Sequence, residues 1–133
     1  MKKTAIITST VILIIVLVFF GLYFAMTAPS YIGEFYVSEF IYEIDNPDFQ
    51  SDMKCGGITE FKTAAKIGKT VISECFENAD GSIFRWMACD IMYDEVNDVY
   101  YIRTYRMSPL VNGGAYNVII QSDGTVLAVW GEK

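Results

Sequence analysis

Few side chains of this chain are suited to acid–base or nucleophilic chemistry. The 133 residues include no histidine, which excludes Ser-His-Asp and Cys-His arrangements, imidazole metal sites and histidine-based proton transfer. Asp90 is the one acidic residue inside a long apolar run. Facing inward, it would be a carboxylate with a raised pKa and a candidate general base, with Tyr101 or Tyr105 as oxyanion donor. The commoner role is an outward-facing carboxylate or a hydrogen-bonding partner of Arg103 or Arg106.

The three cysteines give no metal-binding pattern. Cys55, Cys75 and Cys89 are separated by 20 and 14 positions, without a Cys-x-x-Cys pair, which argues against a structural zinc site. In an oxidising compartment at most one intramolecular disulfide can form, and the sequence does not choose the pair. Buried free thiols are an equally good alternative. We therefore predict no catalytic, cofactor-binding or metal-binding residues.

The charge of the chain restricts its partners. The net charge is −6, from 10 basic and 16 acidic residues, and setting aside Lys2 and Lys3 leaves 8 basic residues against the same 16 acidic ones. An acidic domain repels the phosphates of nucleic acids, so we expect no nucleic-acid partner. A basic protein would instead be attracted to it.

The N-terminus has the length and composition of a membrane anchor. Lys2 and Lys3 precede an apolar run over residues 5–26. As a helix these residues would be roughly 33 Å long at about 1.5 Å per residue, close to the roughly 30 Å hydrocarbon core of a bilayer. The two lysines favour a cytoplasmic N-terminus, because the next basic residue is Lys54. This predicts a single-pass protein of the inner or plasma membrane, with its C-terminal domain outside the cytoplasm.

A cleaved secretory signal is the alternative to an anchor. The apolar run is longer than a usual signal core. Cleavage after Ala28 would also place bulky Met26 where a small residue is required, with Pro29 directly after the cut. We therefore predict an anchor or uncleaved signal in residues 1–28 and one domain in residues 29–133.

Between residues 29 and 78 the sequence predicts a linker, a helix, a loop and a second helix. Pro29, Ser30 and Gly33 suggest the linker. Residues 34–45 are ambiguous between helix and strand, and the spacing of apolar positions 36, 37, 40, 41 and 44 favours a helix. Its glutamates, Glu34, Glu39 and Glu43, need be no more than a solvated face. After a loop over residues 46–57, Thr59 is the expected N-cap of an amphipathic helix that ends near Asn78. Small residues would let this helix approach a sheet closely, and lysines would line its outer side: Ala64, Ala65, Gly68, Lys62, Lys66 and Lys69.

The remaining residues predict strands. Asp80-Gly81 is a stop signal, residues 82–93 form a strand, and residues 94–98 form a solvated acidic turn without the spacing of a calcium loop. Residues 99–107 form a second strand. After a linker over residues 108–114, two alternating apolar runs flank Asp123-Gly124, which predicts a two-residue hairpin turn with positive φ at both positions. The predicted fold class is α+β, an antiparallel meander packed on a helix.

The C-terminal third resembles a known family. The segments are GGAYNVII at residues 113–120, DGTVL at 123–127 and GEK at 131–133, preceded by AAKI at 64–67 and YYI at 100–102. Their order and spacing resemble those of the NTF2-fold immunity proteins of bacterial polymorphic toxin systems. The family usually has Trp-x-Val where this chain has YYI, and Glu132 is an insertion before the final lysine.

The resemblance implies a fold and a function. The fold would be an NTF2-like cone, in which a curved antiparallel sheet wraps a helix. The function would be binding and neutralisation of a cognate protein toxin, without catalysis and without a cofactor. The resemblance assigns no toxin-contacting residue. Two alternatives stay open: an NTF2-like ligand-binding or isomerase-like domain that uses Asp90, and an envelope adaptor with another protein partner.

Overall fold

The computed structural model describes residues 2–49, 56–76, 87–107 and 114–132, with side chains from residue 6 onward. The fold is α+β, with an N-terminal apolar helix and a curved five-stranded mixed sheet. In chain order the elements are α1 (Lys2–Thr27), β1 (Pro29–Glu34), a 3-10 helix (Val37–Phe40), α2 (Ile41–Asp45), α3 (Phe61–Cys75), β2 (Met87–Asp94), β3 (Val99–Arg106), β4 (Tyr116–Gln121) and β5 (Val126–Gly131).

Helix α1 is apolar around its whole circumference. Its 26 residues extend about 39 Å at about 1.5 Å per residue. Its apolar stretch, Ile6–Thr27, is not buried by the rest of the protein, and by length and composition it is sufficient to cross a membrane. Thr8, Ser9 and Thr10 are a short polar interruption, and the helix has no continuous polar face of the kind found on a helix that packs on a soluble domain.

The sheet has the strand order β1-β2-β3-β4-β5. Strands β3 to β5 form the predicted antiparallel meander, and β2, which lies in the strand predicted over residues 82–93, extends it by a fourth antiparallel strand. Strand β1 adds a parallel edge to β2, with a register shift between Tyr31 and Gly33. The prediction of a linker at Pro29, Ser30 and Gly33 was therefore wrong. Pro29 is tolerated because it is the first residue of an edge strand, and Gly33, with φ of 135°, accommodates the irregularity.

Residues 34–45 do not form the single helix that their periodicity favours. Glu34 ends β1, Phe35 is buried, and only then do the 3-10 helix and the five residues of α2 follow. The predicted apolar face is divided, because Val37, Phe40 and Ile44 pack on the sheet. Tyr36 and Ile41, which the helix prediction placed on the same face, are exposed.

Helix α3 packs closely on the sheet, as its small residues predict. Ala64 and Ala65 are buried, and a Cβ added at Gly68 would lie 3.0 Å from side-chain atoms of Ile102 on β3. The helix begins one residue later than predicted, with Glu60 rather than Thr59 at the N-cap and no side-chain cap.

The extended residues on either side of α3 determine where the helix begins and ends. The backbone N–H of Ile58 donates to the Ser122 carbonyl at 2.6 Å, and Glu60 is still extended, with φ of −139° and ψ of 144°. The helix ends at Cys75, three residues before the predicted end near Asn78, because Phe76 takes an extended conformation. The Phe76 N–H donates to the Ile72 carbonyl.

Both faces of the sheet are covered. Under α3 lies the larger cluster of buried residues: Ile58, Ala64, Ala65, Val71, Ile72, Cys89, Ile91, Tyr100, Ile102, Val118, Ile120, Val126 and Val129. On the opposite face the buried residues are Phe35, Val99, Tyr101 and Ile119, with Phe40 and Trp130 packed against them. Because successive strand residues point to opposite faces, adjacent β4 residues contribute to different clusters.

The β4–β5 turn differs from its predicted type. Gly124 has positive φ, 89°, whereas Asp123 does not. The N–H of Gly124 donates to the Gln121 carbonyl and the N–H of Gln121 to the Thr125 carbonyl, both at 2.8 Å, which closes a three-residue loop with a glycine bulge. Asp123 accepts a hydrogen bond from the Thr125 N–H at 2.9 Å, so its side chain supports the loop.

Several predictions fall outside the described residues. They are Cys55, the Asp80-Gly81 stop signal, the strand over residues 82–86 and the linker over residues 108–113.

Replacing Gly124 by alanine should destabilise the domain more than the same change at Gly114. Both glycines have nearly the same φ, 89° and 87°, and an L residue in that region costs about 1 to 2 kcal/mol. Only at Gly124 would the new Cβ collide with backbone, at the carbonyl oxygen and the nitrogen of Gly56, which adds about 1 to 3 kcal/mol. Urea unfolding of the full chain in detergent micelles, followed by tryptophan fluorescence, measures the difference. If Gly124→Ala and Gly114→Ala lowered the free energy of unfolding equally, the close approach of the Gly56 backbone to Gly124 would be contradicted.

Candidate functional site

The sheet face opposite α3 carries the polar residues that the sequence singled out. Asp90 on β2 lies directly across from Arg103 on β3. Tyr101 and Tyr105 lie two positions on either side of Arg103 and therefore share its face. Arg106 has the other parity and belongs to the α3 face, so Arg103 is the arginine that this strand pairing brings to Asp90.

The guanidinium of Arg103 is bound by the carboxylate of Glu132. Its Nε and Nη2 donate to the two carboxylate oxygens of Glu132 at 2.9 and 2.8 Å, a bidentate pair. Hydrogen bonds from Arg103 lower the pKa of Glu132. The guanidinium carbon also lies 5.4 Å from the centroid of the Tyr105 ring. Glu132 therefore connects the end of β5 to β3.

The same carboxylate continues into a buried network. Asn117, which is 0% exposed, donates to Glu132 Oε1 at 3.3 Å and accepts from the Tyr101 hydroxyl at 2.8 Å. Burial raises the pKa of Tyr101 to about 12. The Tyr101 proton is thus already committed to Asn117, which disfavours the predicted role of Tyr101 as an oxyanion donor. Of the two predicted tyrosines, Tyr105 remains beside Asp90, and burial followed by the charge of Asp90 raises the pKa of Tyr105.

The described cysteines are free thiols. Cys89 is buried, and desolvation raises its pKa to about 11. Cys75 is half-buried, and desolvation, then the charge of Glu74, raise its pKa. Because the thiolate is the reactive form, neither cysteine is activated at neutral pH. Within residues 2–49, 56–76, 87–107 and 114–132, no group of three or more metal-ligating side chains comes together.

Asp94 corrects the prediction of a solvated acidic turn. It is 2% exposed, and its carboxylate accepts hydrogen bonds from the N–H of Val37 at 2.9 Å, of Val96 at 3.0 Å and of Asn97 at 3.1 Å, and from the Asn97 side chain at 2.8 Å. Burial raises its pKa, but these hydrogen bonds outweigh burial and leave the pKa below the usual 3.8. Asp94 therefore fixes the start of the 3-10 helix to the β2–β3 turn.

Rings complete the attachment of the 3-10 helix and α2. The Phe40 ring lies 4.8 Å from Tyr101, 5.8 Å from Trp130 and 5.9 Å from Phe35, measured between centroids. Tyr101 and Trp130 stack nearly parallel, with centroids 5.8 Å apart. Aromatic pairs in this range stabilise beyond the area that they bury. This layer packs residues 35–44 against the sheet.

The outer side of this segment is an unusual surface. Tyr36, Ile41 and Tyr42 are 58%, 56% and 74% exposed. They lie among Glu39 and Glu43, and residues 29–49 contain no lysine or arginine. We call these five residues the acidic–aromatic surface. Exposed apolar and aromatic side chains on a rigid support are typical of protein-binding sites.

Sequence periodicity missed this surface. It placed Tyr36 and Ile41 in the core and treated Glu39 and Glu43 as a solvated face. The available signal was composition, since three tyrosines and three glutamates fall within residues 31–43 without a basic residue.

No family model, curated protein or solved structure matches this chain. The chemistry and geometry of its own residues therefore carry the functional inference.

Replacing Asp94 by asparagine should lower the free energy of unfolding by about 2 to 3 kcal/mol, because buried N–H groups lose a charged acceptor. Since the folded pKa of Asp94 lies below the unfolded value, its contribution is present above about pH 4 and is lost as the pH falls through the folded pKa. The wild type should therefore lose more stability than the variant between about pH 5 and pH 3.

Glu95→Gln, an exposed change in the same turn, is the control and should follow the wild-type pH profile. Urea unfolding across this pH range measures all three proteins. An Asp94→Asn protein with the wild-type profile would show that Asp94 does not hold the segment.

Proposed function

We propose that the chain is a membrane-anchored immunity protein that binds and neutralises a cognate bacterial toxin. In this proposal α1 crosses the inner or plasma membrane and holds an NTF2-like domain outside the cytoplasm. The acidic–aromatic surface is the binding site for the toxin. No catalysis and no cofactor take part.

The observation that carries the proposal is the acidic–aromatic surface itself. Three large side chains there are more than half exposed although their backbone is fixed by Asp94 and by the Phe40 ring layer. A rigid site loses little conformational entropy when it binds, so it can support a tight complex. The surrounding carboxylates favour a basic partner and raise its association rate.

Two further features support the proposal. The order of helix and strands resembles that of the NTF2-fold immunity proteins, and a helix packs against a curved sheet in this chain. The apolar helix at the N-terminus is long enough to keep the domain at a membrane. A toxin that acts in the envelope, or passes through it, would meet the domain there.

The alternative is an NTF2-like ligand-binding or isomerase-like domain. Its support is the placement of Asp90, Arg103 and Tyr105 on one sheet face. This alternative requires Asp90 to ionise and act on a ligand. If an Asp90→Asn protein retained full protection against the toxin, Asp90 would have no role as a base, and the isomerase-like alternative would lose its candidate residue. An envelope adaptor with another protein partner would bind through the same acidic–aromatic surface but would not protect.

The first test is co-expression of the full chain with the toxin-like product encoded beside its gene, with host survival as the readout. A version without residues 1–26 is tested in parallel. Survival only with the full chain would support immunity exercised at the membrane. Death with both would contradict the immunity proposal.

Replacing Tyr42 by alanine should raise the Kd for that toxin by about 30-fold or more, since buried aromatic residues at the centre of an interface contribute about 2 kcal/mol or more. Val96→Ala is the matched control, because Val96 is 85% exposed but lies in the β2–β3 turn. Titration calorimetry with the full-length protein in detergent measures both. Unchanged binding by Tyr42→Ala would place the interface elsewhere.

Replacing Glu43 by lysine should slow association with a basic toxin, and the effect should decrease at high salt, because charges of this kind steer the encounter. Stopped-flow association at low and high ionic strength measures it. An association rate that does not change in either buffer would argue against a basic partner at this surface.

A further inference from the structure

We propose that a cavity between α1 and α3 binds the headgroup of an anionic, hydroxyl-bearing membrane phospholipid. The cavity has a volume of about 270 Å³ and lies where the last turn of α1 meets the flank of α3. The residues that matter are Tyr23, Thr27, Lys69, Thr70 and Ser73. The inference rests on the proposed function only in that α1 must cross a bilayer.

The position of the cavity along α1 sets its depth. Thr27 is the last residue of α1, and Tyr23 lies one turn earlier, about 6 Å further along the helix axis. In a membrane-spanning α1, Thr27 would lie among the headgroups and Tyr23 at the boundary with the acyl chains, where tyrosine is favoured. A cavity lined by both residues opens at the level of the lipid phosphates.

Lys69 supplies the charge that a phosphate requires. Its Nζ lies 3.3 Å from the Thr27 carbonyl oxygen, which keeps the ammonium at the cavity. An ammonium group has three N–H donors, and this contact uses one of them. Lys62 and Lys66 lie two turns and one turn earlier on the same flank of α3. Lys62 lines a second hollow beside Pro29 at the start of β1.

In the part of the chain that the structure describes, two acidic residues lie near this flank. Glu60 lines the hollow beside Lys62, and Glu74 lies one turn after Thr70 on α3, where its charge also acts on Cys75. Against these two carboxylates, the three lysines leave the described part of this flank with a net positive charge on a domain that is otherwise acidic. An anionic membrane surface attracts such a stripe of lysines.

The two hydroxyls of the cavity select among anionic headgroups. Thr70 donates its hydroxyl hydrogen to the Lys66 carbonyl at 2.9 Å, and Ser73 donates to the Thr70 carbonyl at 2.8 Å. Their oxygens remain available as acceptors rather than donors. A headgroup with hydroxyl donors next to its phosphate fits this arrangement, with the phosphate on Lys69 and the hydroxyls on Thr70 and Ser73. Phosphatidylglycerol has this chemistry, whereas phosphatidylcholine has neither the net charge nor the hydroxyls.

Binding in this cavity would orient the domain. It would hold α3 against the bilayer, and the acidic–aromatic surface lies on the opposite face of the sheet. That surface would then face away from the membrane, where a protein partner can reach it. Its glutamates would also be repelled by an anionic lipid surface, which favours the same orientation.

The test is native mass spectrometry of the full chain in detergent with phosphatidylglycerol or phosphatidylcholine of identical acyl chains. We expect retention of one phosphatidylglycerol molecule and a Lys69→Gln variant that retains it at least about fivefold less. Lys62→Gln, on the same flank but outside the cavity, is the matched control and should retain it nearly as well. Lys69→Arg should preserve retention through its charge.

Three results would overturn the inference. Equal retention of the two lipids would remove the charge and hydroxyl selection. If Lys69→Gln and Lys62→Gln lost phosphatidylglycerol retention equally, the lipid would be held by diffuse electrostatic attraction and not by a defined site. Glycerol 3-phosphate has no acyl chains. If it displaced the lipid at millimolar concentration, the cavity would be a site for a soluble phosphate.

The outcome is independent of the toxin. Lys69 lies on the α3 side of the sheet, so Lys69→Gln should bind the toxin in detergent as the wild type does. Loss of lipid retention with intact toxin binding would separate the two sites. Intact lipid retention in a protein that fails to protect would contradict the immunity proposal and leave the lipid site standing.

Discussion

One buried carboxylate determines how the outer layer of this domain is attached. Asp94 joins two parts of the chain that are 57 residues apart, because its Oδ2 accepts a hydrogen bond from the Val37 N–H while its Oδ1 closes the β2–β3 turn. Four hydrogen bonds to one carboxylate compensate for its removal from water. With Val37 fixed, Phe40 lies against Tyr101 and Trp130, and the exposed tyrosines of the acidic–aromatic surface acquire a fixed backbone.

The 3-10 helix and α2 can pack on the sheet opposite α3 only because both faces of the sheet are apolar. Ile119 serves the outer cluster while its neighbours Val118 and Ile120 serve the cluster under α3. Toward the end of the outer face the apolar layer gives way to Asn117, which is fully buried but bonded to Tyr101 and Glu132. A polar group in this position is tolerated because its hydrogen bonds are satisfied. The network therefore explains the polar residues of this face without assigning them chemistry.

The sequence predicts individual helices and strands better than it predicts which of them pair or pack together. The alternation at Val118 and Ile120, the small residues Ala64 and Gly68, and the apolar run of α1 each lead to the element that the structure contains. The parallel strand β1 was missed because its pairing partner lies some 60 residues away and its proline and glycine are typical of a linker. Asp94 and the surface around Tyr42 were missed for a related reason: burial of a carboxylate or exposure of a tyrosine depends on tertiary contacts that no local period encodes.

Charge is distributed unevenly over the two faces of the sheet. The domain is acidic overall, yet Lys62, Lys66 and Lys69 are together on the flank of α3 where α1 ends. The acidic residues of the outer layer are separated from these lysines by the thickness of the sheet and by two apolar clusters. Opposite charges on the two faces give a small domain a preferred orientation beside an anionic bilayer, since one face is attracted and the other repelled. In the proposed membrane-anchored protein, a single helix would fix only the point of attachment and leave rotation free, so this charge separation would turn the acidic–aromatic surface away from the bilayer.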